Sequence, residues 1–260
     1  EKANAMPLTP NTNGIEKSNP GAVMSRFLRN YLGWLFKPWT QSRNASRLLV
    51  VSMRSGVTIL GLQGFPLVKT NDDIAPMILR IARSHGIRIA DGDIIVIGHK
   101  IISKSEGRIV RLSQIKPSIR ATRIARRTSK DPRLVQLVLD ESKRIIKAAR
   151  GILLVETKRG IVCLNAGIDK SNIEDHDAYC LLPRNPSRSA DRIARQVRIL
   201  TRKRVRVMVT DTYSRPFRTG QSEFAIGLSR LDPFVDYRGT KDLFGNILKF
   251  KRVSVADELA

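Results

Sequence analysis

Ile161-Val162-Cys163-Leu164-Asn165-Ala166-Gly167-Ile168-Asp169-Lys170-Ser171-Asn172 is the stretch around which the chain is read. The run Ile161–Leu164 is rich in β-branched residues and stops at Asn165-Ala166-Gly167, where glycine permits backbone angles that other residues avoid. The turn delivers Asp169 and Asn172 to a strand end. A carboxylate there is a hard oxygen ligand suited to Mg²⁺ or Mn²⁺, and an Asn amide both donates and accepts hydrogen bonds. A second β-type run, Val205–Thr210, closes on Asp211-Thr212 and continues into Tyr213-Ser214-Arg215-Pro216-Phe217-Arg218. Two aspartates beside guanidinium and ammonium groups suggest a metal-phosphate site. An Asp after a strand also serves as a turn former or helix cap, and the pattern alone keeps both roles open.

Outward from this stretch, Ile152–Glu156 and Ile161–Leu164 are expected to pair as a hairpin through Thr157-Lys158-Arg159-Gly160. Two helices are expected before it, Ser118 to about Thr128 and Pro132 to about Ala149. The second has Asp131 as cap, Pro132 in its first turn, and a buried stripe of Leu134, Leu137, Val138, Ile145 and Ala149 ended by Gly151. Earlier still, a strand is expected over Val57–Leu62 and a turn-containing loop over Gln63–Val68. A helix opened by Asp72-Asp73 follows, with Ile74, Met77, Ile78, Ile81 and Ala82 at helical steps and Gly86 as its stop. Ile94–Ile97 is a continuous apolar run expected of a buried strand. Gly98–Arg108 then reads as a strand end and basic loop carrying Lys100, Lys104 and Arg108. Downstream, a helix after Ser187 turns Ala190, Ile193, Ala194 and Val197 inward, ahead of the Asp211 strand.

The chain has 260 residues and a formal net charge of +24. A chain of this length buries roughly 70–75% of its unfolded surface without needing staples. Cys163 and Cys180 form no CxxC pair and His85, His99 and His176 no metal-ligand spacing, so reduced thiols and a cytoplasmic location are expected. The charge attracts polyanions as a class. Residues 1–52 hold seven Lys/Arg and two Asp/Glu, so most of the excess lies beyond them. It sits mainly on expected helices between apolar positions, as on an ordinary solvated face. Residues 1–21 read as disordered. Residues 22–40 read as a basic amphipathic helix, too short to span a bilayer, and membrane contact through it is not expected. No GxxxxGK[ST] or GxGxxG cradle occurs.

Five segments, KIISKSEGR (100–108), NAGIDKSN (165–172), TDTYSRPFRTGQSEFAIG (210–227), GTKDLFG (239–245) and VADELA (255–260), together resemble the coenzyme F-420-0:L-glutamate ligase family. The resemblance runs from about Met53 to Ala260 and leaves 1–52 as an amino-terminal extension. It implies an α+β fold of two interleaved α/β subdomains, a homodimer with the site near its interface, and a carboxy-terminal segment beyond VADELA that completes the nucleotide and second-metal site. It also implies an enzyme that joins the amine of L-glutamate to the carboxylate of coenzyme F-420-0 through an acyl phosphate, with GTP, Mg²⁺ or Mn²⁺, and K⁺ as a candidate monovalent ion. In the matching positions, Asp169 and Asp211 hold one metal ion and the Thr212 carbonyl helps hold a second. Phe65, Pro66, Leu67, Val68, His99, Lys100, Lys104 and Asn172 face the nucleotide. Arg215 and Arg218 are added from their own chemistry, as cations for a transferring phosphate or a substrate phosphodiester. A nucleic-acid-binding protein and a non-catalytic nucleotide-binding relative are the alternatives. With aromatics at 5%, no recognisable nucleic-acid motif and dispersed basic residues, no nucleic-acid partner is expected.

Overall fold

The computed structural model describes residues 57–215 and 217–260. The expectations for residues 1–52 lie outside the described residues. Leu62–Ala260 forms a compact unit.

Two apolar cores organise this unit. The first is built from α1 (Ile74–Ser84), β1 (Ile94–Gly98), α2 (His99–Ser105), α5 (Pro186–Thr201) and β7 (Arg206–Ser214). Ile74, Ile78, Ile193, Val197, Val207 and Val209 are among its buried members. Fully burying an Ile or Val side chain contributes about 1.5–3 kcal/mol each. The second core draws on α3 (Ile119–Thr128), α4 (Pro132–Glu141), β4 (Ile152–Thr157) and the turn after β5 (Val162–Leu164), with Val135, Val138, Leu153, Val155, Ala166 and Leu181 inside. Its residues, 112–181, lie in sequence between the two halves of the first core. That insertion is the form the interleaving takes, and the fold is α+β.

The first core covers a sheet ordered β1-β7-β8, where β8 spans Gln221–Ser229. β7 runs parallel to β1 and antiparallel to β8. The second core carries the antiparallel sheet β3-β4-β5, with β3 spanning Ser142–Ala149. A short antiparallel pair joins β2 (Ile109–Arg111) to β6 (Ala178–Cys180). β9 (Val235–Asp236) pairs with β10 (Arg252–Val253), and α6 (Val255–Leu259) ends the described chain.

The structure bears out several of the expected elements. α1 starts after Asp73 and α3 after Ser118, whose hydroxyl accepts from the Ala121 N–H. α4 is capped by Asp131 with Pro132 in its first turn, and the β4–β5 hairpin has the expected pairing. Other expectations are corrected. No strand forms over Val57–Leu62, where Val57, Ile59 and Leu60 are exposed and the run has no ladder partner among the described residues. β1 is the edge strand of its sheet rather than a fully buried one, which leaves Val96 47% exposed. Gly98–Arg108 is not a loop, because α2 begins directly at His99.

The helix expected to reach Ala149 stops at Glu141. Ser142 turns to extended angles and donates to the Val138 carbonyl at 2.5 Å, and the chain continues as β3 along β4 around Gly151. Ile145 and Ala149 lie at helical spacing from Leu134, Leu137 and Val138, so periodicity alone could not tell the two outcomes apart. Pairing with β4 decided it. Asp211 is not at the end of β7 but inside it, since β8 pairs with the strand as far as Ser214.

β8 lies close against the start of α5. A Cβ at Gly227 would fall 2.4 Å from the Pro186 carbonyl carbon, so backbone, not a flexible side chain, would have to move. Gly227→Ala is expected to cost about 1–3 kcal/mol in urea unfolding. Gly98→Ala, where a Cβ meets nothing within 4 Å, is expected to stay within about 0.5 kcal/mol of wild type.

Candidate active site

The two cores meet at a cavity of about 1010 Å³. Its walls come from the start of α2, the turn after β5, the outer half of β7 and the facing part of β8.

β7 supplies one wall by strand periodicity. Beyond Thr210, Asp211 and Tyr213 are half-buried while Thr212 and Ser214 are exposed, as expected where successive side chains alternate across a strand. Just before Asp211 the ladder slips: Val209 pairs with Gly227 and Thr210 with Ala225, so Ile226 is an extra residue on β8. A bulge of this kind re-aims the side chains that follow it. The turn after β5 supplies the opposite wall at some conformational cost. Asn165, Ala166 and Gly167 all have positive φ, and Ala166 at 57° is buried. A non-glycine residue held in that region costs of order 1–3 kcal/mol.

α2 ties the walls together. Its two lysines, four residues apart, lie on one helical face. The Lys100 ammonium meets the Asp169 carboxylate and the Ser171 hydroxyl, and the Lys104 ammonium donates to the Asn172 carbonyl at 2.8 Å. Ser171 also donates to Asp169 through its N–H at 2.9 Å and its hydroxyl at 2.6 Å. Burial pushes the Asp169 carboxyl up, but Lys100 and Ser171 outweigh it and hold the group well below the usual carboxylate range.

From the other side, His99 is buried, with Nδ1 3.3 Å from the Ser103 hydroxyl and Nε2 3.2 Å from Asp211 Oδ1. The second approach lacks hydrogen-bond alignment and leaves Nε2 without a partner. The Asp211 carboxylate accepts the Thr212 N–H at 2.8 Å. The Thr212 hydroxyl donates to Glu223 across the ladder. Asp257, from α6, accepts from the Ala225 N–H at 3.0 Å and the Ser254 hydroxyl at 2.8 Å. Burial, with Asp211 adding to it, raises the Cys163 thiol to about 11 and pushes the Tyr213 phenol far above its ordinary value. Both groups are therefore neutral at physiological pH.

Five buried side-chain polar atoms have no hydrogen-bond partner among the described residues, and four of them belong to residues lining this cavity: His99 Nε2, Asn165 Oδ1, Tyr213 OH and Arg215 Nε. Leaving such a group unpaired costs about 1–3 kcal/mol, so a concentration of them marks a place built to meet a polar ligand.

Of the residues singled out from sequence, His99, Lys100, Asp169, Asp211, Thr212 and Arg215 share the cavity. Lys104 and Asn172 meet each other outside its lining. Phe65 and Val68 pack on the first core, with Leu67 82% exposed, and Arg218 is exposed. Tyr213, Glu223, Asp257 and Ser171 were not singled out. Glu223 and Asp257 sit in segments without a local chemical signature, and only the ladder and α6 bring them in. Among the described residues no group of three or more His, Cys, Asp or Glu is placed to hold a metal ion, and no helix is long and apolar enough to cross a membrane. The carboxylates on the walls are nevertheless hard oxygen donors of the type a divalent magnesium or manganese ion takes.

If Lys100 holds Asp169 down, replacing it raises the Asp169 carboxyl. An NMR titration of its side-chain carbon should place the wild-type midpoint below the ordinary value of about 3.9 and the Lys100→Met midpoint higher. A group depressed in the folded state contributes stability above its unfolded pKa and loses it as pH falls through the folded one. The stability gap between the two proteins, under about 1 kcal/mol for so exposed a pair, should therefore close on acidification. A gap that does not narrow as pH falls below the unfolded carboxylate value of about 3.9 contradicts the assignment.

A family model described as F420-0:Gamma-glutamyl ligase matches residues 64–260. The coenzyme F420:L-glutamate ligase of Methanothermobacter thermautotrophicus is 46% identical over 205 residues, covering 79% of this chain and 81% of that protein. Its counterpart in Methanocaldococcus jannaschii is 46% identical over 172 residues, 66% of this chain and 68% of that one. The Archaeoglobus fulgidus protein of the same name is 44% identical over 204 residues, 78% of this chain and 79% of that one.

Proposed function

This chain belongs to the F420-0:Gamma-glutamyl ligase family and is a ligase of that type, and from that premise we propose that it joins L-glutamate to coenzyme F420-0 at the expense of GTP. The observation that carries the proposal is the cavity in which unpartnered polar groups and cations face carboxylates from both cores.

A carboxylate resists attack by an amine, so it has to be activated. An oxygen of the coenzyme's carboxylate attacks the γ-phosphorus of GTP, the bond to the bridging oxygen breaks, and GDP leaves an acyl phosphate behind. The amine of glutamate then attacks the acyl carbon and gives up a proton. Phosphate departs and the amide remains. Glu223 and Asp257, both on the cavity wall, are acceptors for that proton.

Phosphoryl transfer asks a protein mainly for position and charge neutralisation. Lys100 and Arg215 are the cations that would flank the transferring phosphoryl group, while His99 and Tyr213 offer buried polar groups to its oxygens. Asp169, Asp211 and the Thr212 carbonyl are the residues that would hold Mg²⁺ or Mn²⁺, which supplies Lewis-acid neutralisation of the phosphate oxygens. Lys104 and Asn172, with the Phe65–Val68 loop, are assigned to the rest of the nucleotide. Arg218 is kept as a cation for the substrate's phosphodiester. A cytoplasmic homodimer, with K⁺ as a candidate monovalent ion, completes the proposal.

The test is GDP release with F420-0, L-glutamate, GTP and Mn²⁺. Sustained release, beyond one equivalent per site, is expected only when both co-substrates are present. Asp211→Asn should lower kcat/KM by about 10²–10³, the size of losing one preorganised electrostatic group, with the fold unchanged by circular dichroism. Turnover that ignores this substitution contradicts the assignment of the site.

A further inference from the structure

A second concave surface, about 860 Å³, lies where α5 begins beside the first turn of α1 and the end of α2. It shares no lining residue with the catalytic cavity. A third cavity of about 710 Å³ adjoins both, sharing Ile161 and Ile226 with the catalytic one and Arg159, Arg184 and Asn185 with the groove.

Five arginines line the groove: Arg159, Arg184, Arg188, Arg192 and Arg195. All are exposed. The carboxylates that line the groove with them are already engaged, while Asp191, on α5 between Arg188 and Arg195, lies outside the lining. Asp72 accepts the Lys69 N–H, Asp73 the Gln196 amide, and Glu106 the Ser189 hydroxyl and the Arg184 N–H. Among the described residues only Arg192 of the five has a carboxylate within 4 Å, Glu106 at 3.8 Å. Arg159 spends its Nε on the Arg184 carbonyl.

Arg188, Arg192 and Arg195 occupy positions i, i+4 and i+7, on one face of a 16-residue helix at steps of about 5–6 Å. Like charges at that spacing repel, and the positive end of the helix dipole adds to the same field. Guanidinium groups bind carboxylates and phosphates through paired hydrogen bonds. A row of them in a concave wall matches a ligand with several oxyanions in sequence. The lining contains no aromatic side chain on which a base could stack, which disfavours a single-stranded nucleic acid.

We propose that this groove is a separate binding site for a small polyanion carrying two or more neighbouring phosphate or carboxylate groups. The site stands on its own geometry and does not depend on the ligase reaction proposed above.

The test is calorimetric titration of the chain with inorganic tripolyphosphate and, separately, with triglutamate, both at fixed physiological ionic strength. Saturable binding of at least one probe is expected, weakened about tenfold or more by Arg188→Gln/Arg195→Gln, a loss of one or more charge-assisted contacts. The tighter probe identifies phosphate or carboxylate as the source of the oxyanions. Arg123→Gln/Arg126→Gln removes the same charge from α3 and should leave the affinity unchanged. The proposal is overturned if neither probe binds saturably, if the α3 variant loses as much as the groove variant, or if an oligouridylate binds more tightly than both probes. GDP release by the groove variant, measured alongside, is expected at the wild-type rate. Loss of probe binding with retained turnover therefore separates this groove from the catalytic assignment.

Discussion

The site depends on a short helix acting as a clamp between two cores. α2 leaves the end of β1 and presents Lys100 and Lys104 to the segment 169–172 of the inserted core. The same helix starts with His99, which reaches Asp211 on β7. One turn of helix therefore touches both aspartates from opposite sides. Arg108, just beyond α2, adds a further tie by its ion pair with Glu141 at 2.7 Å.

Within the clamp, electrostatics and desolvation oppose each other. Asp169 stays ionised because a lysine and a serine outweigh its burial, whereas the buried Cys163 and the half-buried Tyr213, with no cation to favour their charged forms, keep their protons. The cavity thus holds fixed negative charges, neutral donors and two cations within one space. Unpartnered buried groups are a cost to the isolated fold. Their concentration beside the strained Asn165–Gly167 turn is intelligible as preorganisation for a ligand that supplies the missing partners.

Much of this was legible in the residues themselves. The NAGID turn, the caps of α3 and α4, the β4–β5 hairpin and the inward face of α5 follow from local chemistry and short-range period. Asp169 and Asp211 were found because acidic residues next to β-type runs and basic clusters are a chemical pattern. What escaped was decided by partners distant in sequence. β3 carried helical spacing and became a strand because β4 was there to pair with it. α2 read as a loop because seven residues are too few for a period to declare itself, so the pairing of its lysines with residues 169–172 was invisible. Glu223 and Asp257 entered through the β7–β8 register and α6. Family resemblance supplied the fold and the substrate class, which no single motif here specifies.

The basic residues of the described chain lie partly on solvated helix faces and partly in the arginine-lined groove on α5, so composition alone is a poor guide to where anions bind. The chemistry is more decisive at the cavity between the cores, whose proposed task is to turn a carboxylate into an acyl phosphate. The most direct measurement uses coenzyme F420-0 labelled with ¹⁸O in the carboxylate that receives glutamate, incubated with GTP, L-glutamate, Mn²⁺ and this protein. Mass spectrometry of the released phosphate should find one ¹⁸O transferred per amide formed. Unlabelled phosphate released together with amide would contradict activation by phosphoryl transfer.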